Sequence, residues 1–125
     1  MENNLNTFFH YNISIMKTDL FEFKGEIYKI QIGKNAEDNW RLIDAAAETD
    51  IWFHIRDTSS CHVVLETALS VRSIPRQVIK RCAYLCKQVS KLPTCEVIYT
   101  SIKNIQKAKY VGSVQLLEEP KVLKI

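Results

Sequence analysis

Residues 50–67, DIWFHIRDTSSCHVVLET, constrain this chain more than any other stretch. Two β-type runs flank the polar turn Asp57-Thr58-Ser59-Ser60, and their simplest arrangement is an antiparallel hairpin. Successive strand side chains alternate, so Ile51, Phe53 and Ile55 point one way while Trp52, His54 and Arg56 point the other. Register decides what the two histidines of this hairpin do. A four-residue turn pairs Arg56 with Cys61 and puts His62 on the Ile55 face, away from His54. A five-residue turn pairs Arg56 with His62 and unites the histidines. The sequence leaves both registers open.

The flanking segments supply partners. FEFKGEIYKIQIG (21–33) alternates around Lys24-Gly25 as strand, turn and strand. NAEDNWRLIDAAA (35–47) reads as a helix capped by Asn35, whose side chain can accept an orphan backbone N–H. Glu37 and Asp38 suit the positive end of its dipole. Ala36, Trp40, Ile43 and Ala47 recur at helical spacing and mark Trp40 as a core residue. IPRQVIKRCAYLCKQVSK (74–91) is the clearest helix, with Val78, Ile79, Cys82, Leu85, Cys86 and Val89 in one stripe. Ser73 is its expected cap, Pro75 sits in the tolerant first turn, and Pro93 marks the exit. CEVIYTSI (95–102) is a strand, and SVQLL with KVLKI reads as a last hairpin across Glu118-Glu119-Pro120. Helices and antiparallel strands intermix without repeats or linkers. The expectation is an α+β fold: a compact single domain, a mostly antiparallel sheet and two main helices. Residues 18–125 form that domain and residues 1–17 an extension, either a flexible tail or an edge strand.

Several classes of function are disfavoured. No apolar stretch approaches the roughly 18 residues of a membrane span. The N-terminus has no basic region followed by an apolar one, so it does not read as a signal peptide, and a cytoplasmic location is expected. Without secretion, Cys61, Cys82, Cys86 and Cys95 are expected to be reduced and to pack as small hydrophobes. His54, His62 and Cys61, with Cys82, Cys86 or Cys95, offer zinc ligand types, but no C-x₂-C or H-x₃-H spacing occurs. Ser59 and Ser60 lie near histidine without a glycine-shaped elbow. The expectation is no metal, no cofactor and no catalytic centre.

Charge points elsewhere. Residues 1–69 hold six Lys/Arg and eleven Asp/Glu; residues 70–125 hold eleven and three. A basic half suits an anionic partner. Tyr84 lies among Lys80, Arg81 and Lys87 on the polar face of the second helix. Cations beside stackable rings are what single-stranded or loop RNA binders use. The candidate phosphate contacts are Lys80, Arg81, Lys87, Lys91, Lys103, Lys107 and Lys109. Tyr84, Trp52 and His54 are candidates to stack or position bases, and Arg56 and His62 complete the candidate surface.

Four blocks carry a family resemblance. They are GKNAEDN (33–39), DIWFH (50–54) with SSCHVVL (59–65), IPRQVIKRCAYLCK (74–87), and VIYTSIKNIQK (97–107) with Val111-Gly112. The chain resembles the NFACT-R domain family, and most of all its stand-alone eukaryotic members. Many family members carry Gly in the turn where Ser59 stands here. The resemblance implies a non-enzymatic RNA-binding module, for tRNA or ribosomal RNA, in ribosome-associated quality control. It implies that the histidine hairpin forms or buttresses the nucleic-acid face. DNA binding, and docking on the ribosome or an acidic protein partner, are the alternatives. The stand-alone members continue into a coiled coil, whereas this sequence ends at Ile125, so the coiled coil's partners are not carried over. Without an NFACT-N domain, peptide-tail elongation is not carried over either.

Overall fold

The computed structural model describes residues 16–125. Residues 1–15 of the expected extension lie outside the described residues, and Met16 and Lys17 already belong to the first strand. The chain runs β1 (Met16–Phe23), β2 (Glu26–Gly33), α1 (Ala36–Ala45), β3 (Ile51–Ile55) and β4 (Val63–Glu66). It continues through α2 (Arg76–Ser90), β5 (Glu96–Ser101), β6 (Ile105–Lys107), β7 (Val114–Leu116) and β8 (Lys121–Lys124). Six strands form one antiparallel sheet in the order β1-β2-β4-β3-β5-β8, and β6 pairs with β7 in a separate ribbon. The α+β class and the mostly antiparallel sheet with two main helices are as the sequence predicts.

Alternation on the central strands builds two cores. Ile51, Phe53 and Ile55 of β3, with Ile30, Ile32, Val63, Leu65 and Val97, bury against Val78, Ile79, Cys82, Leu85 and Cys86 of α2. Removing each such side chain from water stabilises the fold by roughly 1.5–3 kcal/mol before entropy is counted. Trp52, Val64 and Ile98 project from the opposite face and pack with Leu42 of α1 and with Ile102 and Ile105. β3 is therefore covered on both sides, by α2 on one and by α1 with the β6–β7 ribbon on the other.

Three local expectations are corrected. α1 buries Asp38, Asn39 and Leu42, not the stripe of Ala36, Trp40, Ile43 and Ala47. Polar satisfaction sets that face: Asn39 Oδ1 accepts from His62 N at 3.1 Å, and Asp38 accepts from Lys34 N at 3.3 Å. Trp40 is half-buried, and its indole donates to Ser113 O at 2.9 Å. Asn35 caps as expected, accepting from Asp38 N at 2.8 Å. Ser73 does not cap α2: it closes a 3-10 turn, Val71–Ser73, and Pro75 takes the cap position. β7 and β8 are not a hairpin. β8 completes the main sheet with Leu123 opposite Val97, whereas Val114 of β7 pairs with Lys107 of β6. The open edge of β5 draws the apolar Leu123 into the first core, and Val114 and Leu116 pack on the second.

The loop between β6 and β7 sits directly on the start of α1. Gly112 has φ +89°, and a Cβ there would lie 2.8 Å from Cα of Ala36. Both the backbone conformation and the contact demand glycine. Gly112→Ala is expected to cost about 1–3 kcal/mol, read as a lowered urea midpoint. An unchanged midpoint would show that this loop is not pinned on the helix.

Candidate nucleic-acid interface

The histidine hairpin is tighter than either register drawn from the sequence. Ile51 pairs with Leu65, Trp52 with Val64 and Phe53 with Val63. Carried one step on, this sets His54 opposite His62. The offset is one residue shorter than the four-residue turn. Because strand faces alternate with period two, it still places His62 on the His54 side, as the five-residue turn would. Ser60 makes the tight turn possible: its Oγ accepts from Ile55 N at 3.1 Å and donates to Cys61 O at 3.1 Å. That hydroxyl is committed to the turn. Asp57 takes the left-handed conformation, with φ 58°.

Trp52, His54 and His62 form one aromatic cluster. Trp52 stacks on His54 at 5.5 Å between ring centroids, and His62 meets His54 edge to face at 4.9 Å. The indole Nε1–H of Trp52 donates to Nδ1 of His62 at 3.1 Å. An indole nitrogen only donates, so Nδ1 of His62 carries the lone pair and the proton sits on Nε2. His54 has the other tautomer, because its Nδ1 lies 2.6 Å from the carbonyl oxygen of Ile55, which can only accept. Burial lowers the pKa of His54, opposed by that carbonyl bond. Burial, with the neighbouring His54 second, pushes His62 down to about 3. Both rings are neutral near pH 7 and act as hydrogen-bonding groups, not as phosphate cations.

Exposure divides the candidates. Trp52 and His62 are 1% and 2% exposed, so neither can stack on a base; they buttress His54 from behind. His54 is half-buried and lines a cleft of about 830 Å³ on the second face of the sheet. The cleft is enclosed by Lys34 and Asn35 before α1, the turn at Thr58–Ser60, the end of α2 at Val89 and Ser90, and the loop from Tyr110 to Val114. Sequence reasoning missed Lys34 and Tyr110. Tyr110 is 70% exposed, and the Lys109 ammonium lies 5.4 Å from its ring centroid.

The candidate cations do not share one surface. Lys80 and Tyr84 lie on the outer face of α2, across the sheet from Trp52 and His54. Arg81 is held by Asp19 through two bonds of 2.8 and 3.1 Å, a pairing that raises its already high pKa. Lys107 bonds Asp44 at 2.7 Å and lies over the Trp40 ring. Arg56 pairs with Glu96 at 3.3 Å. Lys103 lines a different groove, beside Glu118 and Glu119. Lys87 and Lys91 flank Ser90 at helical spacing, at the end of α2 that reaches the cleft. Lys34, Lys87, Lys91 and Lys109 make no ion pair among the described residues. Cys61 and Cys86 face the first core and bond each other's carbonyls, at 3.8 and 3.5 Å. Among the described residues no three of His, Cys, Asp and Glu gather as a metal-ligand set. No helix there is long and apolar enough to cross a membrane.

The family described as NFACT protein RNA binding domain matches residues 8–118. Coiled-coil domain-containing protein 25 of Mus musculus is 36% identical over 86 residues, covering 64% of this chain and 41% of that protein. Protein JLP2 of Saccharomyces cerevisiae is 33% identical over 94 residues, covering 68% of this chain and 45% of that protein. The chain thus spans less than half the length of these relatives. Among solved structures, the C-terminal part of the fibronectin/fibrinogen-binding protein from Streptococcus suis aligns with a TM-score of 0.72. It is 23% identical and covers 85% of this chain and 43% of that one, a likeness of fold.

The buried imidazole has a consequence for stability. The folded pKa of His62, about 3, lies below its ordinary 6.5, so the unfolded chain binds more protons between those values. Stability is present above that window and is lost as pH falls through it. This group alone is expected to cost about 2 kcal/mol between pH 7 and pH 5, measured by urea unfolding. Asparagine can offer Trp52 an acceptor without titrating, so His62→Asn should flatten the dependence. An undiminished slope would remove His62 as its source.

Proposed function

The chain belongs to the NFACT RNA-binding domain family, and from that premise we propose that it is a non-enzymatic module that binds RNA along the cleft beside the histidine hairpin. The family match over residues 8–118 carries this reading. The RNA is structured cellular RNA, tRNA or ribosomal RNA, met in translation or ribosome quality control. Phosphates lie along Lys34, which lines the cleft, and along Lys87, Lys91 and Lys109, which stand within two residues of lining residues in the chain. Lys80 on the far side of α2 contributes long-range attraction only, and the uncharged Tyr84 makes no contact there. Single strands and loops suit the site better than duplex, because only unpaired nucleotides can turn their bases into a cleft.

A second reading, docking on a protein, is favoured by Leu20 and Ile27. They are 66% and 69% exposed on β1 and β2, at the edge of the main sheet.

Binding of labelled tRNA, single-stranded RNA and duplex DNA across a salt series separates these readings. Four neutralised phosphates give a slope of log K against log salt of about −3, at about −0.7 each for single strands. Lys87→Glu/Lys109→Glu is expected to weaken RNA binding by at least about tenfold, and Lys80→Glu by much less. Equal effects from both variants would move the interface off the cleft. Absence of binding to any nucleic acid at low salt would favour the protein partner.

A further inference from the structure

The cleft offers more than a path for phosphates. Its floor and rim carry a neutral acceptor and an exposed ring, and these match a base and not a backbone. Nδ1–H of His54 is spent on the Ile55 carbonyl, which leaves Nε2 with a lone pair and no partner among the described residues. Trp52 stacked on one side and His62 against the ring prevent the imidazole from turning. Tyr110 stands at the rim, largely exposed, beside the Lys109 ammonium. The cleft is large enough for a nucleotide, since ligand pockets run from about 300 to 1,000 Å³.

We propose that this cleft takes one unpaired nucleobase that carries an exocyclic amino group, stacked on Tyr110, with the amino group donating to Nε2 of His54. The proposal rests on the RNA-binding reading and adds base selection to it. Adenine, cytosine and guanine each carry such an amino group, whereas uracil has a carbonyl oxygen where cytosine has its amino group. An oxygen facing the Nε2 lone pair sets two acceptors against each other, which disfavours uracil. His62 and Trp52 are positioning residues: they hold the plane of His54, whose tautomer the Ile55 carbonyl sets, without touching the base.

The test changes the ligand first, so it does not depend on a variant that folds. Nonamer RNAs with abasic ribose at every position but the central one carry there adenine, unsubstituted purine, or no base. Fluorescence anisotropy measures their affinity for the whole chain. Adenine is expected to bind about five- to tenfold tighter than purine, the worth of one hydrogen bond. It is expected to bind tenfold or more tighter than the abasic strand, which also lacks the stacking contribution. His54→Phe keeps an aromatic ring against Trp52 and should equalise adenine and purine. Tyr110→Ala, at an exposed position, should reduce the advantage of both over the abasic strand. Equal binding of adenine and purine by the unaltered chain overturns the proposal. So does an adenine preference that survives His54→Phe. Salt-sensitive binding of the fully abasic strand, with no gain from a base, overturns the base site and leaves the RNA reading standing. Failure of every strand to bind at low salt overturns both.

Discussion

A buried indole N–H must find an acceptor, and the second face of the sheet is organised around that need. Trp52 is central on β3 and sealed from water, where an unsatisfied donor costs about 1–3 kcal/mol. Nδ1 of His62 is the acceptor. For a histidine to serve, it must be neutral, protonated on its other nitrogen, and on the same face of the adjacent strand. The tight turn closed by Ser60 meets the last condition. Burial meets the first, at the expense of stability in acid. That hydrogen bond fixes the tautomer of His62, and the Ile55 carbonyl fixes that of His54.

Two-sided burial of β3 follows from the same residue. An apolar ring on the second face needs cover, and α1 with the β6–β7 ribbon provides it through Leu42, Ile102 and Ile105. The cover is incomplete at one end. There α1 begins, the hairpin turns, α2 ends, and the Tyr110–Val114 loop passes. Gly112 pressed on Ala36 keeps that loop against the helix and sets one wall of the cleft. The site is thus the gap left between elements that exist to bury Trp52 and its neighbours.

Much of the fold was legible because its signals are periodic. The α2 stripe, the alternation of β3 and the cap at Asn35 follow from spacing and chemistry visible in one dimension. What escaped depends on partners distant in sequence. α1 presents Asp38 and Asn39 inward because a backbone N–H of His62 and one of Lys34 need acceptors, and hydropathy spacing cannot see that need. Glu118-Glu119-Pro120 looks like a hairpin turn, yet it carries the chain from the ribbon to the main sheet. The hairpin register fell outside both expected ones, one residue short of the nearer, because a turn of polar residues does not report its own length. His54 was found as a candidate from its motif. Tyr110 was missed because an exposed tyrosine in a loop gives no local pattern, and Lys34 because a single lysine before a helix is ordinary.

Charge shows why composition alone overstates a binding surface. The acidic first half and the basic second half of the chain partly neutralise each other across the fold. Asp19 holds Arg81, and Asp44 holds Lys107. Glu96 reverses the direction by holding Arg56. Two of the candidate cations were arginines, the residues suited to bidentate recognition, and both are paired internally. The cation that lines the cleft is Lys34, and those beside it in the chain are lysines too, compact point charges that hold a phosphate without reading its neighbours. Any selectivity at this surface must therefore come from neutral groups that present a defined donor or acceptor. In the cleft, that description fits His54, whose tautomer the fold has already fixed.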